Sequence, residues 1–280
     1  MAMKEIQNPT PATVEGERLN PRSTTNWLWL TAPIAVLVAI AAGVGLFIEG
    51  LYRDPSSLVA QAMGQDVVTL VVALPALVIS AFLASRGSAR GRLVWLGVLG
   101  YVVYTYLTYA FGIRFNSLFL VYVALLGCSL YALIGGLATT DFEALKVRFT
   151  QKTPVKAASV FLAVVALLFY FVWLSEAVPA VLLGEVPQSV VEDGTPTNVV
   201  HVVDMAWLLP GMLLTALLLW RERAIGYALA GALLTLLALL VLAIVAMAVV
   251  DFSLYGAAIF GILSALSLGM VVWYLRGLKE

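Results

Sequence analysis

The chain of 280 residues has few of the groups that build disulfide frameworks or metal sites. Its one cysteine, Cys128, cannot form an internal disulfide. Its one histidine leaves too few ligands for a catalytic zinc site, so we expect no metal centre. No basic run is long enough to indicate nucleic-acid binding. Phosphate-binding loops, nucleophilic serine motifs and paired haem ligands are also missing, so no cofactor is assigned.

Charged residues are scarce at 11%, whereas hydrophobic residues make up 62% of the chain. Soluble domains carry about 45–50% apolar residues, so lipid is the expected solvent. The apolar residues form stretches of about 20, enough for a helix to cross a bilayer. We predict an all-α, polytopic membrane bundle whose eight spanning helices are Trp27–Ile48, Val67–Ser85, Leu93–Phe111, Leu118–Leu137, Ala158–Val178, Val199–Trp220, Ile225–Val249 and Leu254–Leu275. Residues 1–25 are predicted to be a disordered cytoplasmic tail, and residues 26–280 a single transmembrane domain.

The distribution of charge orients these helices. With the N-terminus inside, 14 of the 16 basic residues fall on the inner side and 2 on the outer side, whereas the 16 acidic residues divide into 7 inside and 9 outside. This is the bias that the positive-inside rule describes. We therefore expect a multi-pass protein of the cell membrane with both termini in the cytoplasm.

Alignment of the sequence with itself at an offset of 135 residues indicates an internal duplication. Residues 66–86 then align with residues 201–221, and 7 of the 21 pairs are identical, including Pro75 with Pro210. We predict two parallel repeats of four helices, residues 27–137 and 158–275, related by an axis along the membrane normal. Two leucine-rich helices can also align this well by chance. The seventh helix is almost wholly Ala, Leu and Val, so we expect it to face lipid or serve as plain scaffold.

Ionisable groups are costly inside a membrane and usually face protein or water, so they mark candidate sites. Asp204 lies inside the sixth helix, and His201 precedes it on the same face. We predict a polar pocket in the outer half of the bundle. Its candidate binding or coupling residues are Asp204, His201, Glu176, Glu49, Asp66, Arg114, Tyr101, Tyr104 and Asn198.

Several of these residues have simpler interpretations. For Asp66 we favour an N-terminal cap of the second helix, because acids stabilise helix N-termini. Arg114 is the expected counter-ion for the acidic residues on the outer side. Tyr106 and Tyr109 are expected to point away from the pocket. The tryptophans near helix ends, including Trp95 and Trp173, are expected to form an interfacial belt.

These features support three hypotheses about function. The first is a transporter of a small solute or ion, coupled to protons or cations through Asp204, His201 and Glu176. The second is a membrane-embedded enzyme that acts on a lipid or quinone-like substrate, with Asp204 and His201 as acid and base. The third is an accessory or sensor subunit that binds a protein partner through its acidic rim. An outer cavity that continues along the repeat interface toward the cytoplasm would favour transport, and a bundle sealed below Asp204 would count against it.

Overall fold

Residues 27–280 are described by a computed structural model and form an all-α bundle in which no β-strand is present. Eight of its helices are long and apolar enough to cross a membrane, which confirms the predicted architecture. Numbered in chain order, they are α1 Leu28–Phe47, α2 Ser56–Ser85, α3 Ala89–Gly112, α4 Phe119–Ala138, α5 Val155–Leu183, α6 Val199–Trp220, α7 Ala224–Val250 and α8 Leu254–Arg276. The predicted tail, residues 1–25, lies outside the described part of the chain.

The connections divide the bundle into two ends. One end carries connections 48–55, 113–118, 184–198 and 251–253, and we call it the acidic end after its many carboxylates. The opposite end carries connections 86–88, 139–154 and 221–223, and we call it the basic end. Two short helices lie in these connections, Phe142–Val147 at the basic end and Gln188–Asp193 at the acidic end.

Side-chain caps begin several of these helices. Ser88, Asn198 and Ser253 each accept a hydrogen bond from the backbone N–H three residues later, at the starts of α3, α6 and α8. Such a bond satisfies one of the N–H groups that the first turn leaves without a partner. Gly184 ends α5 with a φ of 70°, the left-handed conformation that glycine adopts without steric cost.

Pro75 in α2 and Pro210 in α6 are each preceded by a π-helical segment. These segments are Thr69–Ala73 in α2 and Asp204–Leu208 in α6. Proline has no N–H and its ring clashes with the carbonyl four residues earlier. A wider π-turn relieves that clash without ending the helix. In α6 the hydroxyl of Tyr170 donates a hydrogen bond of 2.9 Å to the Met205 carbonyl within the segment. The π-turn therefore places Asp204 at an irregular point of the helix.

The centre of the bundle is formed by α3 and α7, each of which has 16 buried residues. Of the two alternatives predicted for α7, facing lipid is therefore wrong, whereas a scaffold helix agrees with its central position. The two helices approach closely where Gly97 lies against Ala232 and Thr235, since a Cβ on Gly97 would stand 2.5 Å from the Ala232 carbonyl oxygen. The small side chains of α7 allow this close packing.

The second helix begins at Ser56, well before the predicted start at Val67. Its first turns contain Ser57, Gln61 and Gln65, which lower the hydropathy but face a cavity inside the bundle rather than lipid. Asp66 therefore lies about three turns inside α2 and is fully buried. The prediction that Asp66 caps the helix is wrong.

Some elements of residues 27–137 and residues 158–275 are separated by the same spacing of 135 residues, although the starts of α1 and α5 and of α2 and α6 are not. This spacing separates the starts of α3 and α7, the starts of α4 and α8, and the two π-helical segments. Contacts correspond as well, because Gly64 packs on Met247 where α2 meets α7, and Val199 packs on Gly112 where α6 meets α3. The alignment of residues 66–86 with residues 201–221 thus coincides with a geometric correspondence.

Candidate functional site

A cavity of about 590 Å³ lies in the half of the bundle nearer the acidic end. Six helices line it, with α2, α3, α5, α6, α7 and α8 each contributing side chains. Its lining extends from Asn198 and the short helix Gln188–Asp193 at the acidic end, which we call the mouth, to Val165, Met212 and Leu237 near the middle of their helices. Leu162 and Leu234 are buried about one turn beyond that point, and Leu219 is buried near the end of α6. The cavity thus passes Asp204 but closes before the basic end, so the continuation toward the cytoplasm that was expected of a transporter is not seen among the described residues.

Asp204 is the deepest carboxylate of the cavity and is only 6% exposed. One carboxylate oxygen accepts a hydrogen bond of 2.8 Å from the Tyr104 hydroxyl, and the other accepts one of 2.9 Å from the Trp173 indole N–H. Both donors are neutral. Among the described residues, no lysine or arginine forms an ion pair with this carboxylate.

His201 lies one turn closer to the mouth and is also buried. Its ring packs against Trp173 with a centroid distance of 4.1 Å and an interplanar angle of 33°. Its Nε2 is 3.9 Å from a carboxylate oxygen of Glu176, and its backbone N–H donates to the Asn198 side chain. Trp173 therefore contacts both His201 and Asp204 and fixes their relative position.

Hydrogen bonds to Glu176 hold the short helix Gln188–Asp193 over the mouth. Its carboxylate accepts hydrogen bonds from the backbone N–H and the hydroxyl of Ser189, at 2.9 and 3.1 Å. The Asn198 amide donates to the same hydroxyl at 3.3 Å. On the opposite side, the Ser57 hydroxyl donates to Asp193 at 3.0 Å. Partial burial raises the pKa of Asp193, against the opposing effect of the Ser57 hydrogen bond.

The cavity lining is acidic and contains no lysine or arginine. Its carboxylates are Glu176, Glu192, Asp193, Asp204 and Asp251. Carboxylates with low-dielectric walls produce a negative potential within a cleft. The arrangement therefore favours cations and neutral molecules over anions.

Asp66 belongs to a second polar cluster next to the cavity. The hydroxyls of Tyr52 and Tyr109 both donate hydrogen bonds to its carboxylate, and Tyr109 also lines the cavity. Burial and the nearby Asp66 carboxylate raise the pKa of Tyr52, so Tyr52 stays a hydrogen-bond donor. The hydroxyls of Tyr106 and Tyr122 are buried in the same cluster without a partner among the described residues. The expectation that Tyr109 points away from the polar site is wrong.

The remaining candidates lie elsewhere. Tyr101 is fully buried behind the cavity, where its hydroxyl is 2.8 Å from that of Thr69. Glu49 is exposed just beyond α1. Arg114 is exposed and its guanidinium donates to the Arg53 carbonyl, so it is not the predicted counter-ion of the candidate carboxylates. The structure thus brings together Asp204, His201, Glu176, Asn198 and Tyr104, places Asp66 nearby, and separates Tyr101, Glu49 and Arg114 from them.

Trp173 and the short helix Gln188–Asp193 are the parts that sequence reasoning missed. Trp173 was expected in an interfacial belt, but its N–H is bonded to Asp204. Trp95 is likewise only 1% exposed and donates to the Thr31 hydroxyl at 2.9 Å. The one available signal was the spacing of Trp173 three residues before Glu176, which puts both on one helix face.

Within residues 27–280, no three His, Cys, Asp or Glu side chains are arranged to hold a metal ion. Comparisons with models of known protein families, with curated proteins and with solved structures found no match to this chain.

Proposed function

We propose that this protein transports a small solute or cation, and that the cavity is its solute site in an outward-open state. One observation carries the proposal: the cavity runs from the acidic end past Asp204 to mid-bundle, where buried leucines close it. Alternating access requires a central site that is open to one side and closed to the other. The excess of basic residues at the opposite end supports an external acidic end, cytoplasmic termini and a place in the cell membrane.

The coupling groups in this proposal are Asp204, His201 and Glu176. A carboxylate as buried as Asp204 has to be neutralised, and a proton and a cationic solute can each neutralise it. Binding of one then displaces the other, which couples two fluxes through one site. His201 and Glu176 lie between this carboxylate and the mouth, on the path that an exchanging proton or cation takes.

An internal repeat of residues 27–137 and 158–275 is part of the same proposal. The common spacing of 135 residues between helix starts, π-helical segments and packing contacts supports it. Parallel repeats allow the two halves to move against each other around a site near their interface. The contact of Gly97 with Ala232, which are corresponding positions, fits an axis between α3 and α7.

Transport is tested with purified protein in liposomes on a solid-supported membrane, which records the charge moved when a solute is added. The panel comprises alkali cations, small organic cations, neutral amphiphiles and organic anions, and a pH-sensitive dye reports proton movement. We expect at least one cationic member to drive proton movement that the dye reports, because exchange of one proton for one monovalent cation at Asp204 moves no net charge. We expect this signal to be lost in Asp204→Asn and retained in Glu185→Gln. Glu185 is an exposed carboxylate at the same end that does not line the cavity, so it controls for surface charge. Absence of any current or pH change across the panel would contradict the proposal.

A second candidate is an enzyme acting on a lipid or quinone-like substrate. The observation that favours it is the apolar inner part of the cavity, around Val165, Leu237 and Val241, which fits a hydrocarbon tail below a histidine and a carboxylate. Mass spectrometry of lipids and quinones incubated with the protein separates the two candidates. A product that disappears in Asp204→Asn, without solute currents or proton movement in the wild type, would favour the enzyme.

A further inference from the structure

The Asp204 carboxylate lacks a positive partner within the described structure. Tyr104 and Trp173 hold its two oxygens with neutral donors, and no lysine or arginine lines the cavity. His201 is directed toward Glu176, with which it makes its one contact of ion-pair length. Burying a charge is costly unless an opposite charge or a proton compensates it. A ligand with a positive group would supply the missing charge.

The surroundings of Asp204 fit an organic cation better than a bare metal ion. A bare cation needs several oxygen ligands converging on one point. Asp204 is the single carboxylate at its depth, and residues 27–280 contain no cluster of three acidic, His or Cys ligands. An ammonium group needs only one carboxylate and the space for its substituents. The neutral donors on Asp204 fix its orientation without cancelling its charge.

Below Asp204 the cavity becomes apolar. Eight residues of α6 separate Asp204 from Met212, a length of about 12 Å along the helix. The walls over this stretch include Val165, Leu237 and Val241. Aromatic side chains of Tyr104, Phe169 and Trp173 surround the level of the carboxylate, where ring faces also attract cations. The volume of about 590 Å³ falls within the range of roughly 300–1,000 Å³ that is usual for small-molecule pockets.

From these contacts we infer that the ligand is an amphipathic organic cation, with its ammonium group at Asp204 and its apolar body directed toward Met212. This inference rests on the proposed solute site and names the class of solute that the site takes. The carboxylates at the mouth attract such a cation and repel organic anions. The apolar inner end of the cavity favours a longer hydrocarbon body, because each additional buried methylene strengthens binding.

Binding is tested separately from transport. The full-length protein is placed in phosphatidylcholine nanodiscs, and equilibrium dialysis against empty nanodiscs measures the Kd of 4-phenylbutylamine, 4-phenylbutanol and 4-phenylbutyrate. We expect the amine to bind at least tenfold more tightly than the alcohol and the carboxylate to bind most weakly. Asp204→Asn should reduce the preference for the amine to twofold or less, whereas Glu185→Gln should leave it unchanged. Equal affinity for amine and alcohol, an unchanged preference in Asp204→Asn, or no binding of the amine would each overturn the inference.

A second variant tests the orientation and keeps Asp204 intact. Met212→Phe fills the inner end of the cavity, which we call its floor. In a series from 2-phenylethylamine to 6-phenylhexylamine, this substitution should weaken the binding of the longest amines. In the wild type we expect affinity to rise about three- to fourfold per methylene. In Met212→Phe the longest amine should lose at least tenfold and the shortest should be unaffected. A uniform loss, or no loss at the long end, would show that the apolar body does not lie on the floor.

The two proposals fail in different ways. Tight and selective amine binding without currents or proton movement in liposomes would refute transport and leave the ligand class standing. Currents driven by neutral solutes alone, without amine binding, would refute the ligand class and leave transport standing.

Discussion

Replacing Gly97 by alanine tests the close packing of α3 on α7. The added Cβ would stand 2.5 Å from both the Ala232 carbonyl oxygen and the Thr235 Cβ, where backbone cannot rotate aside. The helices would have to separate, and overpacking of this kind costs about 1–3 kcal/mol. Gly43 in α1 is the matched control, because nothing lies within 4 Å of its Cβ position. Gly43→Ala should stabilise the protein by about 0.5–1 kcal/mol through the better helix propensity of alanine.

Unfolding of both variants in mixed micelles of dodecyl maltoside and sodium dodecyl sulfate measures these effects. Both variants make the same chemical change within a helix, so the difference between their free energies of unfolding isolates the cost of separating α3 from α7. We expect Gly97→Ala to be less stable than Gly43→Ala by about 1–3 kcal/mol. If Gly97→Ala is as stable as Gly43→Ala, the crossing has room for a methyl group and the reasoning fails.

Three further substitutions probe other contacts. Tyr170→Phe removes the hydrogen bond to the Met205 carbonyl in the π-helical segment and should cost about 0.5–1.5 kcal/mol in the same unfolding assay; no loss would mean that another group satisfies this carbonyl. Ser253→Ala removes the cap of α8 and should cost about 0.5–2 kcal/mol, with faster amide exchange in the first turn of α8; unchanged exchange there would contradict a capping role. Asp66→Asn should leave the affinity for 4-phenylbutylamine within twofold of wild type, because Asp66 bonds to tyrosines beside the cavity; a tenfold loss in dialysis would place Asp66 in the binding site.

Sequence reasoning predicted the number and order of the spanning helices because a run of about 20 apolar residues has one stable arrangement in lipid. It predicted the start of α2 wrongly, since Ser57, Gln61 and Gln65 resemble a connection when their neighbours are unknown. Those side chains are compatible with a spanning helix because they face a cavity between helices. Hydropathy averages over all directions around a helix, so it cannot distinguish a cavity-facing polar stripe from a connection.

The sequence could predict which site residues share one face of a helix, but not which residues of different helices are in contact. Asp204 and His201 share a face by their spacing, and depth in the membrane marks Asp204 as unusual. Tyr104 and Trp173 contact Asp204 only because α3 and α5 pack beside α6, across 100 and 31 residues of chain. Arg114 failed as a counter-ion for the same reason, because the connection that carries it folds toward Arg53.

The crossing of Gly97 over Ala232 restricts how the bundle can change shape. Because Gly97 lies directly against the Ala232 carbonyl oxygen and the Thr235 side chain, the two helices cannot slide lengthwise without colliding. The contact extends along both helices, since Gly100 lies against Leu236 and Gly231 lies against Leu93. A movement that opens the basic end would therefore have to come from helices that shift around the α3–α7 pair, not from displacement of α3 along α7.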